Sequence, residues 1–321
     1  MVARFRGDLS ALCAVDRDRL LVAVSGGGDS VALLLLAHAV LGERCLAATV
    51  DHGLRAESAA EAAFVAELCR ARGISHRTLT GVFPARAEGS ANLSARARAL
   101  RYALLEAERE RVGAAAIATA HHGDDQIETL VMRLNRGSGV GGLAGVRARS
   151  GVVIRPLLAW RRSELAAVAA ACGIEPVDDP TNHDDRFDRA RIRKSLTDAP
   201  WVEPAGWQRS AAALADAADA LDFAVETLWR QRCTASGDGV VIDVDGLPFE
   251  LRRRLVIRAA STTQRDIVLR GGQAAALVAR LERGESGMVG DVLVTIEPGA
   301  AGAPRWRLAM APARSSSRRS G

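Results

Sequence analysis

The sequence predicts an α/β fold in which a parallel sheet carries helices on both faces, followed by a smaller mixed α/β domain. Two observations lead to this prediction. Short, nearly continuous apolar runs alternate with helical patterns, as expected for strands that are buried on both faces. Three of these runs are followed directly by glycine-rich or polar stretches, and parallel sheets bind ligands at the carboxyl ends of their strands. We therefore expect one shared site at the strand ends.

The first half of the chain alternates strands and helices in order. Leu20–Val24 is a buried strand that leads through a glycine turn into an apolar helix ending near Val40. Hydrophobic periodicity and helix-ending glycines place the next elements: strands at 45–50, 74–80 and 114–120, and helices at 58–72 and 92–111.

The character of the sequence changes near residue 200, so we place a boundary between domains 1–200 and 201–321. The second part begins with a helical pattern, and arginine-containing helices then separate its strands. Those strands are expected within 239–247, 291–299 and 305–312. The serine- and arginine-rich stretch 313–321 is expected to be disordered.

The composition indicates a globular protein without a membrane span. Of 321 residues, 48% are hydrophobic and 25% are charged, and no apolar run reaches the roughly 18–20 residues that a span needs. The N-terminus lacks a secretory signal pattern, and the five cysteines form no C-x-x-C pair. We therefore expect a cytoplasmic protein with reduced thiols and no membrane partner. A homodimer is compatible with the sequence, which does not determine the oligomeric state.

The net charge of +5 fits a polyanionic partner such as RNA. Lys194 is the only lysine, so nearly all positive charge is arginine. A base-composition bias of the genome explains this excess at least as well, and charge alone identifies no partner.

The stretch SGGGDS interrupts an apolar segment between a strand and a helix. Such a turn gathers backbone N–H groups and a helix N-terminus around an anion. The lysine of the mononucleotide P-loop and the dinucleotide spacing are both absent, and a tight turn with incidental glycines is the alternative. Because Asp29 would repel phosphate without an intervening cation, the turn predicts Mg²⁺ bridging to phosphates. The predicted phosphate-binding residues are Ser25, Gly26, Gly27, Gly28, Asp29 and Ser30.

The same stretch resembles the S-G-G-x-D-S loop of the PP-loop ATP pyrophosphatases, a Rossmann-like class that cleaves ATP between its α- and β-phosphates. Further motifs follow in order: DHGLRAES at 51–58, ARALRY at 97–102, TAHHGDDQIETLVMRLNRGSGVGGLAGV at 119–146, IRPLL at 154–158 and DDPTNHDDRFDRARIR at 178–193. Over about residues 20–195 the set resembles the tRNA(Ile)-lysidine synthetase family. The C-terminal part resembles only the shorter members, and weakly.

The resemblance implies a two-step ligation with ATP and Mg²⁺. ATP adenylates the C2 carbonyl oxygen of the wobble cytidine in the isoleucine tRNA with anticodon CAU, releasing pyrophosphate. L-Lysine then attacks C2 through its ε-amine and releases AMP, forming lysidine. Residues 201–321 are then an accessory domain on the tRNA side.

Three carboxylates are the predicted catalytic residues: Asp29, Asp125 and Glu128. Asp125 and Glu128 lie three residues apart on a predicted helix and so share a face. Together they suit capture of the lysine ammonium, and one of them would accept its proton. A solvated acidic helix face is the alternative, and Asp124 is a candidate helix cap.

Histidines and arginines after the second and third strands are the next candidates. His121 is predicted to contact phosphate or ribose, and a zinc site at His121 and His122 is the weaker alternative because further ligands are missing. His52 and Arg55 are predicted to contact the adenylate, with a surface loop as the alternative. By resemblance, Arg98 and Arg101 lie near the lysine or nucleotide site, where one of them holds a carboxylate or a phosphate; ordinary surface arginines are the alternative.

Three alternating arginines, Arg189, Arg191 and Arg193, are predicted to follow the tRNA backbone with salt-dependent affinity. A solvated charge run is the alternative. The family pattern there is R-N-R-I-R, and Ala190 replaces its asparagine, which puts local contacts in doubt.

Other functions remain open at this level. A tRNA 2-thiolase would bring sulfur, often with paired cysteines or an iron–sulfur cluster, and an amidating enzyme would need a glutaminase domain. A nucleotide-binding regulator or RNA-binding module would not need Asp29, Asp125 and Glu128 together. The ligase prediction requires an open crevice that reaches both Asp29 and Asp125.

Overall fold

The computed structural model describes residues 1–51, 53, 57–81, 93–175, 188–197, 199–299 and 302–312. Two residues predicted to contact the nucleotide, His52 and Arg55, lie outside these ranges, as do residues 178–187 and the tail 313–321. The chain divides into two compact units: Met1–Gly137 with Gly142–Ala213, and Ser138–Gly141 with Leu214–Gly321. The assignment of the C-terminal part to the tRNA side stays a prediction.

The first unit alternates strands and helices along the chain. Its strands are β1 (Leu20–Ala23), β2 (Cys45–Asp51), β3 (Ser75–Thr80), β4 (Ala116–Ala118), β5 (Arg149–Ser150) and β6 (Val153–Ile154). The helices that begin before Ala213 are α1 (Val2–Ser10), α2 (Gly28–Leu41), α3 (Glu57–Ala71), α4 (Leu93–Arg111), α5 (Gly123–Asn135), α6 (Val140–Leu143), α7 (Arg162–Ala171), α8 (Asp188–Thr197) and α9 (Pro204–Arg232). Residues of α6 and α9 belong in part to the first unit and in part to the second. A short 3-10 turn, Gly42–Arg44, precedes β2.

Among the described residues, six strands form one sheet in the order β3-β2-β1-β4-β6-β5. All neighbours pair in parallel except β5, which is antiparallel to β6 at the edge. The predicted parallel α/β class is thus confirmed. The chain proceeds to one side of β1 with β2 and to the other with β4, and ligands bind in the crevice at such a reversal.

The sheet buries both of its faces. Leu20 and Val22 of β1 belong to the core that α1, α2 and α7 cover, whereas Leu21 and Ile117 join the core beneath α4. Each fully buried side chain of this size stabilises the fold by roughly 1.5–3 kcal/mol. Ten of the 14 residues of α2 are buried, because this helix is apolar all round and has neighbours on every side.

The second unit has its own sheet and core. Its elements after α9 are β7 (Cys233–Ser236), β8 (Gly239–Asp243), α10 (Phe249–Thr263), α11 (Gly271–Glu282), β9 (Gly287–Val289), β10 (Val292–Pro298) and β11 (Pro304–Met310). The strands pair antiparallel in the order β7-β8-β11-β10-β9. Trp306 and Leu308 alternate inward on β11 and pack in the core with α10 and α11. This confirms the predicted smaller α/β part and shows that its sheet is antiparallel.

None of the helices in the described part of the chain combines the length and apolar character that a bilayer crossing requires.

Candidate active site

The glycine turn between β1 and α2 is fixed by local hydrogen bonds. Gly26 has φ +93°, a left-handed conformation that glycine adopts without steric cost. The hydroxyl of Ser30 accepts from Ser25 N at 3.1 Å and donates to the carbonyl of Gly27 at 2.8 Å. The first-turn N–H groups of a helix have no intrahelical acceptor, so the start of α2 provides donors for an anion.

A cleft of about 980 Å³ opens from this turn across the carboxyl ends of the strands. It reaches both Asp29 and Asp125, so the crevice that the ligase prediction requires is present. The predicted site residues that line it are Ser25, Gly27, Gly28, Asp29, Ser30, Arg98, Arg101, His121, Asp125, Arg189 and Arg193. The structure therefore brings together residues from the turn after β1, from α2, α4, α5 and α8, and from the segment that follows β4. Three predicted residues, Gly26, Glu128 and Arg191, are described but do not line it.

His122 is the buried centre of the acidic side of the cleft. Its Nε2 lies 3.3 Å from Asp29 Oδ2 and 3.5 Å from Asp125 Oδ2, and its Nδ1 lies 3.6 Å from Asp124 Oδ2. Burial opposes a charge on the ring, but the hydrogen bond with Asp29 and the surrounding carboxylates outweigh it and raise the pKa of His122. The ring thereby connects Asp29, at the start of α2, to α5.

Asp124 and Asp125 have different roles at the start of α5. Asp125 accepts from His122 N at 3.0 Å and so caps the helix. Asp124 accepts from Arg162 N at 2.7 Å and from Arg161 Nε at 3.0 Å, and the N-cap residue of α5 is His122. The expectation that Asp124 caps this helix is therefore wrong, because arginine donors at the start of α7 engage it instead.

Glu128 shares the face of α5 with Asp125, as its spacing predicts, but its surroundings differ. Asp125 lines the cleft, whereas the side chain of Glu128 is only 4% exposed. Arg189 donates to Glu128 at 2.8 Å and to Asp125 at 3.0 Å. Arg193 donates to both oxygens of Glu128, at 2.7 and 3.3 Å. Arg191 instead pairs with Asp188 on the same helix.

The opposite wall of the cleft is basic and aromatic. Arg98 lies 5.0 Å from the ring centroid of Tyr102 and donates to its hydroxyl at 3.4 Å. Arg155 does not line the cleft but contacts Tyr102. It is buried and donates to the carbonyl of Arg147 at 2.7 Å; burial lowers its pKa, although Tyr102 opposes the shift.

His121 faces the cleft at the end of β4. Its Nδ1 lies 3.0 Å from the hydroxyl of Thr119. Burial lowers the pKa of His121 to about 4, with nearby arginines assisting and Asp125 opposing. The ring is therefore neutral near neutral pH and provides hydrogen-bonding nitrogens without charge.

Sequence reasoning missed His122 and Arg155 as site residues. His122 is considered from the sequence only as a zinc ligand, and Arg155 lies in a motif that is matched without a role. The signal for His122 is its place directly after a strand and three residues before Asp125, where it begins a helix. Nothing local signals Arg155, since its contact with the site is made to Tyr102, which is distant in the sequence.

The fold and the cleft define a PP-loop protein, and residues 3–199 match the PP-loop domain family. A tRNA(Ile)-lysidine synthase of Novosphingobium aromaticivorans is 44% identical over 324 residues, covering 99% of this chain and 96% of that protein. A tRNA(Ile)-lysidine synthase of Zymomonas mobilis subsp. mobilis is 37% identical over 304 residues, covering 92% and 89%. The chain belongs to the tRNA(Ile)-lysidine synthase family, as its motif order predicts.

A solved structure shares the fold alone. The U34-tRNA thiolase of Methanococcus maripaludis, which carries a 4Fe–4S cluster, aligns with a TM-score of 0.55 at 15% identity, over 67% of this chain and 78% of that one. In the present chain burial raises the pKa of Cys45 to about 12 and that of Cys69 to about 11, which disfavours thiolate chemistry at these two positions. Within the described ranges no three His, Cys, Asp or Glu side chains are grouped to hold a metal ion. Neither the thiolase nor the zinc alternative gains support there.

Proposed function

We propose that this protein uses ATP to join L-lysine to C2 of the wobble cytidine of the CAU-anticodon isoleucine tRNA. Family membership supports the reaction. One observation supports the place in the molecule where it occurs. A single cleft connects the glycine turn with Asp29 to Asp125 on α5. The groups for phosphate and for amine therefore lie in one chamber, which a ligation through an adenylate needs because activation and attack must follow each other without exposure to water.

The turn side holds the phosphates of ATP in this proposal. First-turn N–H groups of α2 and the hydroxyl group of Ser25 donate to them, while Ser30 holds the turn through its bonds with Ser25 and Gly27. Asp29 is 32% exposed and lies at the helix start, and Mg²⁺ is commonly held by one or two carboxylates together with substrate phosphates. The donor set therefore fits Mg²⁺ at Asp29, and the ion would neutralise phosphate charge there.

The acidic side receives lysine. Asp125 faces the cleft and is oriented by the backbone of His122, so it can accept a hydrogen bond from the ε-ammonium and then the proton that the amine loses on attack. The prediction from the sequence includes Glu128 as a second catalytic carboxylate. Its burial leaves Asp125 as the acceptor that reaches the cleft.

The basic wall receives an anionic group. Arg98 and Arg101 line the cleft beside Tyr102, and guanidinium groups bind carboxylate and phosphate through paired donors. The α-carboxylate of lysine and a phosphate of the tRNA are the two candidate ligands. Both substrates and ATP are cytoplasmic molecules, so we place the protein in the cytoplasm.

Transfer of radiolabelled lysine to an isoleucine tRNA transcript tests the proposal. We expect label in the tRNA only when ATP is present, with AMP and pyrophosphate formed in equal amounts. The matched control is the same transcript with uridine at the wobble position, which should accept no label. Lysine-independent transfer of sulfur to the tRNA, or equal labelling of both transcripts, would contradict the proposal.

A further inference from the structure

Two arginines of the cleft wall donate hydrogen bonds to Glu128. Its oxygens accept three hydrogen bonds, one from Arg189 and two from Arg193. Guanidinium–carboxylate bonds of this type are strong and fix geometry. A carboxylate that is 4% exposed and already engaged in this way is poorly placed to take a proton from a substrate amine. Its effect on the cleft is to hold the two guanidinium groups in place.

The two arginines face the cleft from one side of α8. They are four residues apart and therefore on the same helix face, and both line the cleft. Arg189 bridges Glu128 to Asp125, on the side assigned to lysine. Arg193 interacts electrostatically with Asp125 and Asp29. Although burial opposes it, the bond with Glu128 and these carboxylates raise the pKa of Arg193, so its cation is retained.

We infer that Glu128 is a positioning residue that holds Arg193 against the departing pyrophosphate of ATP. The inference rests on the proposed function and deepens it. In the adenylation step the C2 oxygen forms a bond to the α-phosphorus, and the bond from that phosphorus to the bridging oxygen breaks. The electron pair leaves with pyrophosphate, so negative charge grows on that oxygen. A preorganised N–H donor stabilises such charge without reorganisation.

A cation is needed between Asp29 and the phosphates of ATP. The turn carries a carboxylate among groups that bind phosphate, so phosphate and Asp29 repel each other unless positive charge lies between them. Mg²⁺ at Asp29 supplies part of it. Arg193, held by a buried partner, supplies a further positive charge that is fixed by the fold. Arg189 has the separate role of orienting Asp125 for the amine.

A pyrophosphate burst separates the two steps. With ATP and tRNA but no lysine, the wild-type protein is expected to release pyrophosphate in one rapid turnover. Arg193→Lys keeps the charge and loses the guanidinium geometry, so the burst should slow about 10²-fold, the typical effect of losing one preorganised donor. The lysine KM of the second step should change by less than about twofold. Arg70→Lys on the exposed surface of α3, where Arg70 pairs with Glu67, is the matched control and should keep the wild-type burst.

A double-mutant cycle tests whether Glu128 acts through Arg193. Glu128→Gln should slow the burst about tenfold, and the double variant should be no slower than Arg193→Lys alone, because partners in one contact are not additive. Added methylguanidine should restore part of the burst to Arg193→Ala and none to Asp29→Ala. Thermal unfolding midpoints near that of the wild type keep these results independent of folding.

The outcomes distinguish the inference from the function beneath it. A wild-type protein without a tRNA-dependent burst would contradict the proposed function itself. A normal burst in Arg193→Lys together with a lysine KM raised tenfold or more would assign Arg193 to the lysine carboxylate and overturn the inference alone. Fully additive losses in the cycle would show that Glu128 does not act through Arg193.

Discussion

On one side of the cleft, at the turn between β1 and α2, the backbone supplies the binding groups; on the other, at α5 and α8, charged side chains supply them. The turn is held by Ser25, Ser30 and a positive φ at Gly26. The other side is held by ion pairs between Glu128 and two arginines. Backbone donors have no protonation equilibrium to shift. Paired charges depend on every partner, so that side should respond more sharply to single substitutions of its side chains.

Asp29 belongs to both sides, and its loss should have the largest effect. Asp29→Ala removes the carboxylate that fits Mg²⁺ and breaks the contact with His122. We expect pyrophosphate release to fall by about 10³-fold, because metal and donor preorganisation are lost together. Stopped-flow detection of pyrophosphate measures it, with the surface variant Asp16→Ala as control. Near-normal release would refute the role of Asp29.

Asp125→Asn should impair only the side of the cleft at α5 and α8, where charged side chains supply the binding groups. The amide keeps the size of the carboxylate but cannot accept the lysine proton, so lysine transfer should fall by about 10²-fold. The pyrophosphate burst without lysine should change by less than about threefold. Quantifying burst and transfer in the same preparation checks the difference. If both steps fell equally, Asp125 would serve ATP rather than lysine.

Gly26→Ala should destabilise the glycine turn through its backbone conformation and not through a steric contact. A Cβ at Gly26 would meet its nearest atoms at 3.6 Å, which is ordinary contact, whereas the left-handed φ costs a non-glycine residue about 1–2 kcal/mol. The free energy of unfolding from urea titration should fall by that amount. Gly27→Ala is the matched comparison, since Gly27 has φ −69° and should lose much less. Equal losses would place the cost in packing.

The smallest effect concerns the pH dependence of stability. The pKa of His121 is lowered to about 4 by burial, against 6.5 for the free side chain, so the unfolded state binds more protons between these values. Its contribution is complete above pH 6.5 and is lost as the pH falls toward 4. Relative to the wild type, His121→Asn should lose less stability between pH 7 and 6, by up to about 1 kcal/mol. Identical pH profiles would show that His121 does not contribute.

Local sequence patterns predict the side of the cleft at the turn between β1 and α2. The apolar strand Leu20–Ala23 and the glycine interruption give their own signals, and the structure has the strand, the turn and the helix where the sequence predicts them. The strands β5 and β6 gave no signal, because two residues are too few to show a hydrophobic period.

The side-chain side was predictable only in part. The shared face of Asp125 and Glu128 follows from helical spacing, but their arginine partners lie more than 60 positions away in the chain. From the sequence alone, Arg189 and Arg193 resemble the solvated charges of a basic helix. Which carboxylates they meet is set by the approach of α8 to α5, and no local pattern records that approach.

The deep burial of α2 has a consequence for the local opening of the protein. A helix with ten buried residues of 14 cannot open without exposing the centre of the unit, so its amide protons beyond the first turn should exchange with solvent only through global unfolding. The glycine turn leads directly into that helix. The nucleotide would therefore bind beside a helix that is as rigid before binding as after it, and deuterium uptake beyond the first turn of α2 should be nearly unchanged by ATP.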